Sequence, residues 1–306
     1  MTDQILSFAH AVLPENGEDC FAVVRKEHVT ALCATDGCGG LGSRRYPGLK
    51  NRTGAYAASR LAVHVFTRWA EKETQNLCEL EEQLASSFRT VADKECSVQG
   101  SRIVGSMQRR LPTTFCAALI HEEQAEVFWA GDTRAYVLDE QGLHQCSRDH
   151  LKGMPDPFEN LYRDMPLSAY VSADTPVKLE YRQISLPAPC AVLLATDGAY
   201  GPLPTPMEFE MLLLDTLKAA NDWKDWQKKL KKACARVAQD DATIVMGLHE
   251  TECFEAFRQR MMLRRDVLQK QYITPVRRKK GNLDFARERW QEYRKTYDWT
   301  EEEKHA

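Results

Sequence analysis

Short runs of apolar, β-prone residues recur along the first half of the chain and again near its end. Runs of about four to eight such residues, bounded by polar or turn-forming residues, are typical of strands. The pattern predicts strands at residues 20–24, 29–35, 115–121, 126–130, 134–138, 191–196 and 243–248. The pair Gln141-Gly142 predicts a turn after the fifth of these.

Between the second and third runs, the apolar residues follow a different spacing. Ala57, Leu61, Val65 and Trp69 recur every four residues, and residues 77–91 repeat in steps of three and four. This spacing predicts two amphipathic helices. Similar patterns predict helices near residues 207–219 and 222–237. Strands at both ends with helix pairs between them favour an α+β fold with sheet layers over a repeating βαβ fold.

Two segments depart from this regular pattern. Residues 152–189 are rich in Pro, Asp and Ser and show little periodicity, which predicts a long surface loop. Residues 251–306 carry 14 Lys+Arg and 10 Asp+Glu, and Phe254, Phe257 and Met261 have helical spacing. We therefore predict a main domain over residues 1–250. Residues 251–306 would form a charged helical appendage outside its core that is dispensable for folding.

Composition and charge exclude several classes of protein. Of the 306 residues, 43% are hydrophobic, and the formal net charge of -3 gives no general attraction to nucleic acid or membrane. We expect no transmembrane helix, because no run of about 18 apolar residues occurs. The N-terminus lacks the basic and apolar regions of a signal peptide. The ten cysteines include no CxxC pair, so we expect reduced thiols and a cytoplasmic protein.

Four acidic segments lie at the ends of predicted strands: Glu18-Asp19, Asp36-Gly37, Asp197-Gly198 and Asp240-Asp241. Carboxylates beside glycines, which let the backbone come close, are what a hard divalent cation needs. Oxygen ligands suit such ions better than zinc, and several converging carboxylates would build a dinuclear site. Taken singly, Glu18-Asp19, Asp197-Gly198 and Asp240-Asp241 could each be turns without a ligand role.

The glycines after Asp36 also match a nucleotide-binding pattern. Gly37, Gly39 and Gly42 fit GxGxxG, the dinucleotide fingerprint. That fingerprint opens directly into a helix and has an acidic residue about twenty positions further on. Here residues 43–48 intervene and no acidic residue occurs until Glu71. A metal-binding turn beginning at Asp36 therefore explains the glycines better.

Together, these segments resemble the metal-dependent protein phosphatases of the 2C type (the PPM family), in their bacterial form. Six motifs carry the resemblance: Glu18-Asp19, the DGxGG-like turn 36–40, the GDSR-like segment 131–138, Asp149-His150, the SDG-like segment 195–198 and the D-[ND]-x-T-like segment 240–243. Each motif is weak alone, but six in the right order with sensible spacing are specific. The resemblance spans residues 6–248, roughly four-fifths of the chain.

The resemblance implies two stacked antiparallel β-sheets flanked by pairs of helices. It also implies a pair of Mn²⁺ or Mg²⁺ ions held by Asp36, the carbonyl of Gly37, Asp197 and Asp240, with Asp19 as a direct or water-mediated partner. The implied reaction is hydrolysis of phosphoserine or phosphothreonine in proteins by a metal-activated water. A Ser/Thr kinase would be the counterpart in signalling.

Two departures from the family pattern alter the expected site. The family usually has an Arg about five residues before the first-motif Asp to bind phosphate, whereas this chain has Pro14. Arg44 and Arg45, just past the metal turn, are the candidate phosphate ligands instead. Asp132 is the candidate ligand of a third ion. The family often places a second aspartate for that ion where this chain has Gly201, so we expect two tightly bound ions and a weak or absent third.

Other functions stay open on the sequence alone. A catalytically weak binding or regulatory module would keep the metal carboxylates and recognise a protein partner through the 152–189 loop and the 251–306 tail. The missing Arg near Pro14 favours this hypothesis, whereas retention of all the acidic motifs counts against it. A nucleotide-binding enzyme is the third hypothesis, disfavoured by the spacing given above.

Overall fold

The computed structural model describes residues 2–96, 109–153, 156–162 and 165–299. Its strands are β1 (Thr2–His10), β2 (Cys20–Arg25), β3 (Thr30–Thr35), β4 (Arg45–Tyr46), β5 (Arg52–Thr53), β6 (Phe115–Ile120), β7 (Gln124–Ala130), β8 (Arg134–Asp139), β9 (Gly142–Gln145), β10 (Glu180–Ser185), β11 (Cys190–Ala195) and β12 (Ala242–His249). They form a first sheet in the order β1-β12-β11-β8-β9, a second sheet in the order β10-β7-β6-β3-β2, and a β4-β5 hairpin. All strand pairs in the two large sheets are antiparallel.

The helices are α1 (Gly39–Gly42), α2 (Gly54–Ala70), α3 (Leu77–Glu95), α4 (Asp197–Tyr200), α5 (Pro206–Ala219), α6 (Trp223–Val237), α7 (Phe254–Leu268), α8 (Thr274–Arg278) and α9 (Leu283–Tyr297). A π-helical turn (Gln269–Ile273) joins α7 to α8. Helices α2 and α3 pack on the second sheet, and α5 and α6 pack on the first. In the part of the chain that the structure describes, no helix is long and apolar enough to cross a membrane.

The central strands are buried on both faces, which explains their continuous apolar runs. In β3, Leu32 and Ala34 pack between the two sheets, whereas Ala31 and Cys33 face helices α2 and α3. A strand covered on both sides loses the usual alternation of apolar and polar residues. The predicted α+β fold with two stacked antiparallel sheets and flanking helices is confirmed.

The C-terminal helices are present as predicted, but they do not lie outside the core. Phe257, Met261, Trp290, Tyr293 and Tyr297 are each at most 1% exposed, and they belong to the same hydrophobic cluster as the first sheet and helices α5 and α6. The helical spacing predicted that these residues share one face of a helix, but it did not predict which surface that face would pack against. The predicted separation of the tail from the core is therefore wrong, while a domain boundary near residue 250 stays a prediction.

Polar contacts also hold the tail in place. Arg264 Nε and Nη2 donate to the two carboxylate oxygens of Glu210 on α5 at 2.6 and 2.9 Å. Tyr293 Oη donates to the same carboxylate. After α9, the N–H of Trp299 donates to the carbonyl of Gln145 on β9 at 3.1 Å. The tail is thus joined both to a helix and to a strand of the main fold.

Five strands were not predicted: β1, β9 and β10 of the two large sheets, and β4 and β5 of the hairpin. Strand β1 pairs with β12, and Leu6 lies opposite Met246. Strand β10 pairs with β7 at the edge of the second sheet, within the segment expected to be a surface loop. That expectation is wrong for β10, whose side chains are mostly exposed apart from Ile184, so its sequence lacks an apolar run. Residues 154–155 and 163–164 of the expected loop lie outside the described residues.

Candidate active site

Two aspartates are neighbours at one end of the second sheet. Asp19 directly precedes β2 and Asp36 directly follows β3, and the pairing of Cys20 with Thr35 brings these two positions together. The Thr35 hydroxyl donates to the carbonyl of Cys20 at 3.1 Å, and the Asp36 N–H donates to Thr114 Oγ1 at 2.9 Å. Antiparallel pairing therefore places two carboxylates that are 17 residues apart in sequence at one sheet end.

The first sheet brings two more aspartates to the same place. Asp197 follows β11 and Asp240 precedes β12, and these strands are antiparallel neighbours. Thr196 connects the two sheets, because its hydroxyl donates to Asp19 Oδ2 at 2.8 Å and accepts from the N–H of Thr243 at 2.8 Å. The four predicted metal aspartates thus come from both sheets and share one end of the fold.

The electrostatics show how close these carboxylates are. Burial raises the pKa of Asp36 well above its usual value, and the negative charges of Asp19, Asp197, Asp132 and Asp240 raise that pKa further. Burial, followed by the charge of Asp240, raises the pKa of Asp197 to about 6. Burial and then the charge of Asp197 raise the pKa of Asp132 to about 8. Carboxylates that repel one another this way need protons or cations between them.

Unpartnered oxygen atoms show that a hard cation fits here. Within the described ranges, Asp19 Oδ1 and Asp197 Oδ1 are buried without a hydrogen-bond partner. Burying such an oxygen is costly, and Mg²⁺ or Mn²⁺ would satisfy it. As they stand, however, no three His, Cys, Asp or Glu side chains among the described residues are arranged to hold a metal ion. The donor chemistry of these carboxylates fits a pair of hard divalent cations.

Two glycines allow the turns of the site to approach their neighbours. A Cβ atom on Gly37 would lie 2.4 Å from the carbonyl oxygen of Ala55 at the start of α2. A Cβ atom on Gly198 would lie 2.0 Å from the carbonyl oxygen of Asp241. Side chains at these positions would push both turns outward, so glycine is required by space rather than by a positive φ.

Asp132 lies in a cavity next to Asp197. Tyr200 and Gly201 also line this cavity, and the Tyr200 hydroxyl donates to the carbonyl of Asp132 at 2.7 Å. Gly201 has helical backbone angles, with φ -61° and ψ -38°, so a side chain is allowed conformationally. Its Cβ atom would nevertheless lie 2.8 Å from the backbone carbonyl oxygen of Asp197, so a side chain there requires the backbone of one of the two residues to shift.

The two predicted phosphate ligands differ in position. Arg45 lines a second cavity, on the other side of the metal turn, together with Glu18 and Asp240. Arg44 is not part of that lining, and its guanidinium lies over the ring of Tyr46, 5.9 Å from the ring centre. The structure therefore brings Arg45 to the carboxylates and does not bring Arg44 there.

Sequence reasoning missed Arg52, which lines the same cavity as Arg45. Its Nη1 donates to the carbonyl of Glu15 at 2.6 Å and to Asn16 Oδ1 at 2.9 Å, beside Pro14. The β4-β5 hairpin carries Arg45 and Arg52 to this place. A signal existed in the sequence, since Arg52 lies in the same short stretch between the metal turn and α2 as the two candidates that were chosen.

Comparison with known proteins gives the family. A sequence model described as protein phosphatase 2C matches residues 9–235. The chain belongs to the protein phosphatase 2C family. No curated protein matches it. The matched range contains Asp19, Asp36, Asp132 and Asp197, whereas Asp240 lies just beyond its end.

Solved bacterial phosphatases share the fold. Serine/threonine phosphatase Stp1 from Staphylococcus aureus is 17% identical, with a TM-score of 0.60 over 82% of this chain and 97% of that chain. The Mycobacterium tuberculosis serine/threonine phosphatase PstP/Ppp is 18% identical, with a TM-score of 0.56 over 81% of this chain and 99% of that chain. A PstP catalytic domain in complex with 2 manganese ions is 17% identical, with a TM-score of 0.53 over 80% of this chain and 100% of that chain.

Proposed function

We propose that this protein phosphatase 2C family member is a Mn²⁺- or Mg²⁺-dependent phosphatase that hydrolyses phosphoserine and phosphothreonine in proteins. The observation that carries the proposal is the meeting of strand-end aspartates from both sheets at one place, where Asp19 and Asp197 each have a buried, unpartnered oxygen. The family match and the fold shared with a manganese-bound phosphatase support it.

Each residue of the site has a proposed role. Asp36, Asp197, Asp240 and the carbonyl of Gly37 would hold two ions, and Asp19 would complete the set while Thr196 fixes its other oxygen. When bound, the ion pair supplies an activated water and neutralises charge on the phosphoryl group. We expect a third ion at Asp132 to be weak or absent, because position 201 offers no carboxylate.

Arg45 and Arg52 are the proposed phosphate ligands. Both line the cavity that also contains Asp240, and guanidinium groups form charge-assisted hydrogen bonds with phosphoryl oxygens. The contacts of Arg52 with the 15–16 segment would fix the position of its side chain before substrate binds. Together the two residues would take over the role of the cation that the family usually has near position 14.

The proposal extends to cellular context. The substrate would be a phosphorylated protein opposed by a Ser/Thr kinase in signalling, with no nucleic acid or membrane involved. A cytoplasmic location agrees with the ten cysteines, none of which forms a disulfide. The C-terminal tail would be a candidate surface for a protein partner, although its aromatic residues are occupied by the core.

A catalytically weak regulatory module is the second candidate function. One observation favours it: Pro14 stands where the family usually has a cation. Such a module would bind phosphoprotein and metal without turning substrate over.

A manganese-dependent assay separates the two functions. The full chain would be assayed with p-nitrophenyl phosphate and with a phosphothreonine peptide, with and without Mn²⁺. Asp240→Asn should abolish most turnover, whereas Asp225→Asn, a matched change at a partly exposed helix position that pairs with Lys229, should leave it intact. Binding of the phosphopeptide without detectable hydrolysis in Mn²⁺ would favour the regulatory module instead.

A further inference from the structure

Helix α9 contacts one wall of the cavity that contains Asp132 and Asp197. We propose that Trp290 and Arg294 of α9 are positioning residues that hold Asp156, and through it the 156–162 segment, against this cavity. The inference rests on the proposed function, because it assigns the tail a role in shaping the phosphatase site. It concerns residues beyond the stretch that matches the family, which ends at residue 235.

Asp156 is the point where the tail holds the segment. Its Oδ1 accepts from Trp290 Nε1 at 3.0 Å, and its Oδ2 accepts from Arg294 Nη1 at 2.6 Å. The same Oδ1 accepts the N–H of Phe158 at 2.8 Å, which closes a turn at the start of the segment. Phe158 is fully buried and stacks on Trp290, with ring centres 6.4 Å apart. One aromatic and one charged residue of α9 therefore fix this turn from two sides.

The segment then forms part of the cavity wall. Leu161 and Tyr162 line the cavity, and the hydroxyl of Tyr162 donates to the carbonyl of Pro204 on the opposite side. Asn160 Nδ2 donates to Asp149 Oδ2 at 3.0 Å. Displacing the turn at 156–158 would move residues that directly bound the space beside Asp197.

Asp149 passes this restraint to the centre of the site. It pairs with Arg134 through contacts of 2.9 and 2.7 Å, and the two side chains are only 2% and 1% exposed. The Arg134 guanidinium lies 3.9 Å from the ring centre of Tyr200, whose hydroxyl donates to the carbonyl of Asp132. The buried pair of Asp149 and Arg134 has little freedom to move, because Asn160 and Tyr200 contact it. A displacement of Asn160 would therefore also displace Asp132 through this short series of contacts.

Helix α9 contacts the same arginine by a second route. The hydroxyl of Tyr297 donates to the hydroxyl of Tyr136 at 3.4 Å, and Arg134 Nη1 donates to that same Tyr136 oxygen at 3.3 Å. Both tyrosines are almost fully buried. Two separate series of contacts therefore connect α9 with Arg134. This is more than expected if α9 only touched the 156–162 segment at the surface.

The test uses the full chain with Trp290→Phe combined with Arg294→Gln. The phenylalanine keeps the stacking on Phe158 and removes the N–H donor, and the glutamine removes the charge. Lys295→Gln, the adjacent exposed residue, is the control with the same change of charge. Hydrogen exchange is measured for residues 156–162 and 144–150, and kcat and KM are measured with a phosphothreonine peptide in Mn²⁺.

We expect faster exchange in both segments of the double variant but not in α2, and no change in the control. We also expect KM to rise roughly five-fold, or about 1 kcal/mol at about 1.4 kcal/mol per tenfold, with kcat changed less than about two-fold. Unchanged exchange would overturn the proposal, and so would faster exchange with an unchanged KM, because the contacts would then only fasten the tail.

Failure of the proposed function gives a different pattern. If the unaltered chain hydrolyses no phosphopeptide in Mn²⁺, the phosphatase assignment fails. The hydrogen-exchange measurement alone then tests whether Trp290 and Arg294 are positioning residues. Acceleration that is confined to 156–162 and does not reach 144–150 then overturns it. If the double variant does not fold, Asp156→Asn is measured in the same way, because an asparagine keeps the acceptor for the Phe158 N–H and weakens the contact with Arg294.

Discussion

Replacing Arg264 with methionine should destabilise the whole protein, because it leaves the carboxylate of Glu210 buried without its cation. The Glu210 side chain is 0% exposed and that of Arg264 is 11% exposed. Removing one partner of such a buried pair costs about 3–5 kcal/mol. Since about 1 kcal/mol shifts the unfolding temperature by about 2–4 °C in a large domain, we expect Tm to fall by about 10 °C.

Thermal and urea unfolding followed by circular dichroism would measure the effect. Arg265→Met is the matched control, because its partner Asp215 is 46% exposed and a surface pair of this kind contributes only about 0–1 kcal/mol. The double variant Glu210→Leu with Arg264→Met should recover most of the lost stability, since two apolar side chains replace the pair and no charge is left buried.

The comparison of the single and double variants tests whether the unpaired carboxylate of Glu210 causes the loss of stability. If Arg264→Met and Arg265→Met unfold at the same temperature, the buried pair does not hold α7 on α5. If the double variant is less stable than Arg264→Met alone, the loss comes from packing volume or from the Tyr293 hydroxyl left without its acceptor, and not from an unpaired carboxylate. Either result would refute the electrostatic explanation for the docking of the tail.

Four further predictions concern the site and the tail. Asp36→Asn should lower kcat/KM by roughly 100-fold or more, and near-normal turnover in ample Mn²⁺ would exclude it as a ligand. EDTA should abolish activity and Mn²⁺ restore it, whereas alkylation of the exposed thiols Cys78 and Cys253 should leave most of it, as an activity assay after each treatment would show. A chain ending at Glu250 should be insoluble or unfolded, and a soluble chain with a cooperative unfolding transition would contradict this. Gly201→Asp should add a second, millimolar-range activation step to the Mn²⁺ titration, and a single-step titration would show that Asp132 gains no ion.

Local sequence patterns were enough to predict the central strands of both sheets and the aspartates at their ends, whose metal binding stays a prediction. The apolar runs of β3, β6 and β11 are continuous because both faces are buried, and an aspartate at a strand end needs no distant information. Strand β10 could not be found this way. As an edge strand it buries little except Ile184, so its position depends on the backbone of β7 and not on its own side chains.

The docking of the tail required information that no local pattern contains. The spacing of Phe257 and Met261 predicts a helix, but their burial depends on surfaces of α5 and α6 that lie roughly 30 to 50 residues earlier in sequence. The partner of Glu210 is Arg264, 54 residues later. Arg52 lies in the same short stretch as Arg44 and Arg45, but its position beside Pro14 follows from the β4-β5 hairpin and not from motif spacing.

The contact between the end of the tail and β9 has a consequence for self-association. Strand β9 is the outermost strand of the first sheet, and an uncovered edge offers free N–H and C=O groups to a strand of another molecule. Here Gln145 forms a parallel bridge with Asp298 and accepts the N–H of Trp299. The last described residues of the chain therefore cover part of the β9 edge, which could otherwise pair with a strand of another molecule. Proteolysis that removes these residues would expose this edge, and we expect the shortened protein to aggregate more readily.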